Sequence, residues 1–241
     1  MRNLALLSMF FIVLLLSGCG LIDHYYLPPA DDTVREIFES ANDAMQEKQY
    51  GKAVDLYSRI KDNSPFSPYA IEAELSLGDA HYLRGDFLEA AEAYRDFEML
   101  HPRHEAIPYV LYQIGMSLKL NYKSVDKAST EVEEGLQYFY RLQQTYPNTE
   151  YGRLALEQIV ACRRLLAERE LYIADVFWGM GNYQAAWTRY DFVLQNFGDI
   201  QDIAEYARSK GEVAYQRYRK GASELVREEV EGSWKRLFDW L

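Results

Sequence analysis

KQYGKAVDLYSRIKDNSP, residues 48–65, and RGDFLEAAEAYRDFEMLHP, residues 84–102, are one pattern written twice. Tyr50 answers Phe87, Ala53 answers Ala90, Tyr57 answers Tyr94 and Pro65 answers Pro102, always 37 residues apart. The pattern returns at Val132, Gly135, Phe139 and Pro147, and again at Tyr183, Ala186, Tyr190 and Gly198. Self-similarity at a fixed period of this size marks stacked units, each too small to bury its apolar face alone.

The residue types say what each unit is. Small residues at Ala53, Ala90, Gly135 and Ala186 let two helices of a pair approach closely, and the aromatics Tyr57, Tyr94, Phe139 and Tyr190 fill the gap to the next pair. Gly85 and Gly181 suit the tight turn between helices. Proline closes most copies because it cannot continue a helix. The first helix of a pair carries a small residue seven before the turn, at Ala41, Gly78 and Ala174. Gly115 takes that place in the third copy, where the turn arrives late and NYKSVDKAST (121–130) reads as an inserted inter-helix loop. Residues 200–241 read as a fifth, degenerate pair, with Ala214 seven before Gly221. SELVREEVEGSWKRLFDWL closes it, with an apolar face of Val226, Val230, Trp234, Leu237 and Leu241.

The period is close to the ~34 residues of tetratricopeptide repeats. The expected fold is therefore all-α, a solenoid of about five helix pairs with almost no strand. Such a stack makes a curved right-handed superhelix with a concave groove, sealed by a capping helix.

The N-terminus is an address. Arg2 precedes an apolar run from Leu4 to Leu16, broken only by Ser8. That run is too short for a helix to span a hydrocarbon core, which takes ~20 residues. A positive start, a short apolar core and small residues make a secretory signal. Leu16-Ser17-Gly18-Cys19 resembles the lipobox of bacterial lipoproteins, so residues 1–18 are expected to be removed and Cys19 to carry S-diacylglycerol and an N-acyl chain. Several acyl chains make attachment effectively permanent, at ~0.8 kcal/mol per buried CH₂. Gly20, where enterobacterial lipoproteins retained at the inner membrane have Asp, favours the outer membrane. Residues 19–32, with Pro28-Pro29, read as a stiff lipidated tether, and Asp32 or Thr33 as the first helix cap.

Composition narrows the partners. A net charge of −11 repels nucleic acid and acidic headgroups, which leaves membrane attachment to the lipid. With Cys19 acylated, Cys162 is alone and sits in an apolar helical stretch, where it reads as a buried small hydrophobe. His101-Pro102-Arg103-His104 lacks helical ligand spacing for a metal, and no further ligand cluster lies nearby. Glu131, Glu133 and Glu134 read as a solvated face. No P-loop, G-x-S-x-G, H-E-x-x-H or Rossmann pattern exists. The chain is expected not to be an enzyme and to need no metal or cofactor beyond the covalent lipid. Its twenty tyrosines suit repeat packing and, where exposed, a peptide groove.

SPFSPYAIEAELSLGDAHYLRGDFLEAAEAYRDFEMLHPRHEAIPYVLYQIG, YPNTEYGRLALEQI and LLAERELYIADVFWGMGNYQAAWTRYDFVLQNFGD resemble the BamD (ComL) family, tetratricopeptide lipoproteins of the β-barrel assembly machinery. The likeness covers roughly residues 30–200, and the tail WKRLFDWL has no match in it. It implies a lipid-anchored place on the periplasmic face of the outer membrane. It implies two kinds of partner, a BamA-type β-barrel insertase and the C-terminal segments of unfolded outer-membrane proteins, and it allows other lipoproteins of the same complex. By resemblance residues 33–106, the first two repeats, bind clients, and residues 107–199, the third and fourth, dock the insertase. Phe66, Ser67, Pro68, Tyr69, Tyr82 and Phe87 carry over as client-side candidates and Arg189 as the docking candidate. The competing expectation is a tetratricopeptide lipoprotein adaptor that recruits cell-wall enzymes.

Overall fold

A computed structural model of the chain describes residues 33–238. The signal segment, Cys19 and the tether lie outside these residues. Among them are nine helices and no strand. The architecture is that of tetratricopeptide repeats, helices joined by short turns and, within each compact unit, packed against their neighbours in sequence. They group into two compact units that divide between Arg84 and Gly85.

The first unit holds α1 (Val34–Gln46), α2 (Tyr50–Asn63) and α3 (Ala70–Arg84). Thr33 caps α1 in a capping box, its hydroxyl accepting from Glu36 N–H while the Glu36 carboxylate accepts from Thr33 N–H. The core is Phe38, Ala41, Ala53, Tyr57, Ile60, Ala73 and Leu77. Lys48, in the turn between α1 and α2, has φ +59°. It holds the place that Gly85 and Gly181 hold in later turns, at φ +91° and +75°.

The second unit holds α4 (Phe87–Leu100), α5 (Ile107–Asn121), α6 (Thr130–Thr145), α7 (Glu150–Gly179), α8 (Tyr183–Phe197) and α9 (Gln201–Phe238). The small residues act as the sequence requires. A methyl on Gly135 would stand 3.0 Å from the Gly115 carbonyl oxygen, so α5 and α6 meet backbone to backbone. The aromatics do more than fill the gap to the next pair. The Phe139 ring lies on Gly115 of its own pair, 2.7 Å from where a Cβ would be, while Tyr190 reaches Gly211 on the next helix. The insertion forms the loop 122–129, as its composition suggests. Pro65, Pro102 and Pro147 follow α2, α4 and α6.

Each buried tyrosine hydroxyl also needs an acceptor, and the repeat supplies one just after the small residue of the first helix. Tyr57 Oη donates to Asn42 Oδ1 at 2.5 Å, next to Ala41. Tyr190 Oη donates to Asp175 Oδ1, next to Ala174. In the third repeat both partners change together, since Phe139 has no hydroxyl and the residue after Gly115 is Met116.

Two expectations need correction. Glu134 is not merely solvated: it accepts from Arg95 at 2.5 Å, tying α6 to α4, and Arg141 donates to Glu98 at 2.7 Å between the same helices. The turn expected at Gly221 does not form. α9 runs unbroken from Gln201 to Phe238, so one long helix stands where a fifth pair was expected. The reason is local. Gly85 and Gly181 are followed by Asp86 and Asn182, the N-cap residues of the next helices. Gly221 is followed by Ala222, and the Ser223 hydroxyl donates back to the Lys220 carbonyl instead of capping a new helix. Of the closing apolar face, Val226 is exposed. The side chains of Val230, Trp234 and Leu237, and all of Leu241, lie outside what the structure describes.

Candidate functional site

Three places carry site-like geometry, and the first is the connection between α2 and α3. Two prolines stiffen Pro65-Phe66-Ser67-Pro68-Tyr69. Ser67 N–H donates to the Ser64 carbonyl at 3.0 Å, and the Ser67 carbonyl accepts from Ala70 N–H at 3.1 Å. Tyr69 stacks on Phe38, ring centroids 5.2 Å apart. The turn is thus held by backbone bonds and one inward ring, and Phe66 projects from it, 99% exposed. Ser67 Oγ is buried without a hydrogen-bond partner. Of the other client-side candidates, Tyr82 is partly buried near the end of α3, where burial raises its hydroxyl pKa, and Phe87 is partly buried at the start of α4.

The second place is Arg189 on α8. Its guanidinium donates to Glu170 Oε2 at 2.8 Å, and Glu170 also lies 3.9 Å from Arg169. Arg189 keeps 43% of its side-chain surface exposed and Glu170 only 16%. The docking candidate is therefore a pre-oriented arginine that shares a carboxylate of its own chain.

The third place was not singled out in the sequence. A cleft of about 430 Å³ runs between α8 and α9, lined by Trp187, Leu194, Gly211 and Tyr215, with Asp191, Arg208 and Glu212 as its charged groups. Trp187 lies 5.0 Å from Tyr215 and parallel to Tyr218 at 6.2 Å. Towards Gly181 a second depression of about 280 Å³ adds Tyr183, Arg217 and Leu225. Cations sit over this aromatic surface, Arg217 over Tyr183 at 6.0 Å and Arg219 over Tyr215 at 5.8 Å. Such a cleft suits an apolar side chain of a peptide or helix, with polar edges to orient it. The sequence signal was there: Tyr215 and Tyr218 follow Gly211 and Ala214 on one continuous helix.

Among the described residues no group of three or more His, Cys, Asp or Glu side chains is placed to hold a metal ion. His101 and His104 flank the Phe97 ring at 5.0 and 5.3 Å, and His104 Nδ1 accepts from Ala106 N–H. Cys162 is fully buried, and burial pushes its thiol up to about 11. It is a packing group, as its apolar helical setting suggests. Among the described residues no helix is long and apolar enough to cross a membrane.

A family model described as YfiO, outer membrane lipoprotein, matches residues 30–231. Among curated proteins, the chain is 27% identical over 220 residues to "Outer membrane protein assembly factor BamD" of Neisseria meningitidis serogroup A / serotype 4A, covering 86% of this chain and 82% of that protein. It is 25% identical over 195 residues to the protein of the same name from Vibrio cholerae serotype O1, covering 77% of this chain and 79% of that one. A solved tetratricopeptide protein of Thermus thermophilus aligns at 16% identity and a TM-score of 0.41 over 74% of this chain and 98% of that one. The helix pairs, and not that loose likeness, establish the fold.

Proposed function

The chain belongs to the YfiO family of outer membrane lipoproteins, and from that premise we propose that it is a non-enzymatic outer membrane protein assembly factor. Cys19 carries the lipid that holds it to the periplasmic face of the outer membrane. The helix pairs form a binding scaffold with two roles. The Phe66 turn, with Ser67, Pro68, Tyr69, Tyr82 and Phe87 as the client-side set, receives segments of unfolded outer-membrane proteins. Arg189 and its neighbours dock a BamA-type insertase. The observation that carries this reading is the family match itself, which runs through nearly the whole repeat array. The rigid, fully exposed Phe66 supports the client side, because a projecting ring on a fixed turn loses little entropy when it is covered. The exposed edge of Arg189 supports the docking side.

A photocrosslinking residue placed at Phe66 and, separately, at Arg189 in intact cells tests the reading. Phe66 is expected to capture newly exported outer-membrane proteins and Arg189 the insertase. Recovery of cell-wall enzymes from both positions, with no insertase, overturns it.

A further inference from the structure

The insertion of the third repeat has no counterpart in the other copies and no part in the function proposed above. It lies against α7, where Arg169 Nε donates to the Lys127 carbonyl at 2.7 Å. Val125 of this loop, Glu168, Leu171, Tyr172 and Asp175 of α7, and Tyr206 of α9 line an open pocket of about 390 Å³. We propose that this pocket receives an arginine side chain presented by a partner protein.

The carboxylate of Asp175 is the first reason. It is partly buried and accepts from two tyrosine hydroxyls, Tyr190 and, at 3.0–3.1 Å, Tyr206. Those two hydroxyl hydrogens take up part of its acceptor capacity and bring no positive charge. Among the described residues no cation pairs with it. A carboxylate withdrawn from water is costly until a counter-charge arrives. The rings are the second reason. Tyr172 and Tyr206 are 42% and 40% exposed, and an exposed ring beside a carboxylate attracts a planar cation by its face. Val125 and Leu171 supply apolar wall for the methylene stem, and Glu168 adds a second carboxylate. Two of the protein's own cations come near this pocket, and neither pairs with Asp175. Arg164 lies 3.7 Å from Glu168 but makes both of its short bonds, at 2.8 Å, to Asp202. Lys210 is shared between the Tyr206 and Trp178 rings at 5.7 and 5.8 Å. Arginine fits better than lysine, because a flat forked guanidinium stacks on tyrosine and bonds a carboxylate at once.

The test uses the full chain in detergent micelles with ¹³C-labelled tyrosine, the Tyr172 and Tyr206 resonances assigned through Tyr→Phe variants. N-acetyl-arginine amide is titrated against N-acetyl-citrulline amide, which has the same shape without the charge. The Tyr172 and Tyr206 signals are expected to move saturably with the arginine probe and about tenfold more weakly with the citrulline probe. Asp175→Asn is expected to weaken arginine about tenfold and Tyr172→Ala about threefold. Tyr172 is exposed and makes no bond the fold relies on, so the second variant decides if the first fails to fold. Equal responses to the two probes overturn the proposal. So does an arginine response unchanged by the substitutions.

Discussion

Gly152 occupies a place where no side chain fits. A Cβ there would stand 2.1 Å from the Tyr146 carbonyl oxygen, and the Gly152 N–H donates to Thr149 Oγ1, the α7 cap, at 3.0 Å. Gly152→Ala must break either the cap or the turn before it. It is expected to cost about 2–3 kcal/mol in urea denaturation, the range of overpacking plus a lost cap. Lys48 is the opposite case. Its φ of +59° strains a residue with a Cβ, so Lys48→Gly is expected to raise stability by about 0.5–1 kcal/mol in the same assay. The two positions also mark what could be read beforehand. The small and aromatic positions were legible because one residue pattern recurs four times along the chain. Gly152 was not, since its requirement comes from a single carbonyl across a single turn. Asn42 and Asp175 were missed for another reason: a polar residue beside a buried alanine reads as surface until the tyrosine that needs it is in view.

Between elements, the clearest tie is a double clamp from α7 to the start of α9. Arg163 grips Asp199 through two bonds of 2.5 and 2.6 Å, and Arg164 grips Asp202 through two of 2.8 Å. These carboxylates also lie at the N-terminal end of α9, where the helix dipole favours negative charge. Bonds from the arginines hold both carboxyl pKa values below the ordinary 3.8. A lowered folded pKa contributes stability above the ordinary value, and that stability is lost as pH falls through the lowered one. Urea midpoints of the wild type and of Asp199→Asn/Asp202→Asn are therefore expected to differ at pH 7 and to converge in acid below about 3.8, with the difference small because the groups are exposed. A difference that persists unchanged into acid removes the clamp from the account. The clamp also shows why the last element was the hardest to read. The helix pattern of residues 201–238 is clear, but whether Gly221 bends depends on the residue after it, and a glycine spacing alone does not carry that information.

On the scale of the whole molecule, the question is whether the anchor and the fold depend on each other. The first described helix supplies its own cap: Thr33 and Glu36 close the box between themselves, and Ile37, Phe38, Ala41 and Ala44 are buried in the core of the first unit. Among the described residues the core of the first unit is built from the side chains of its own three helices. The lipid proposed at Cys19 then acts on location alone. Cys19→Ala is expected to leave far-UV helix content unchanged and the urea midpoint within about 0.5 kcal/mol of wild type, the range of a substitution outside the packed core. The same variant is expected to lose stable membrane association, because no described helix can span a bilayer and the net charge of −11 repels anionic headgroups. It should appear as a soluble periplasmic form or an uncleaved precursor. Fractionation and circular dichroism on one preparation separate the outcomes. Lost helicity makes the tether part of the fold, and a folded variant that stays on membranes in high salt places the anchor elsewhere in the chain.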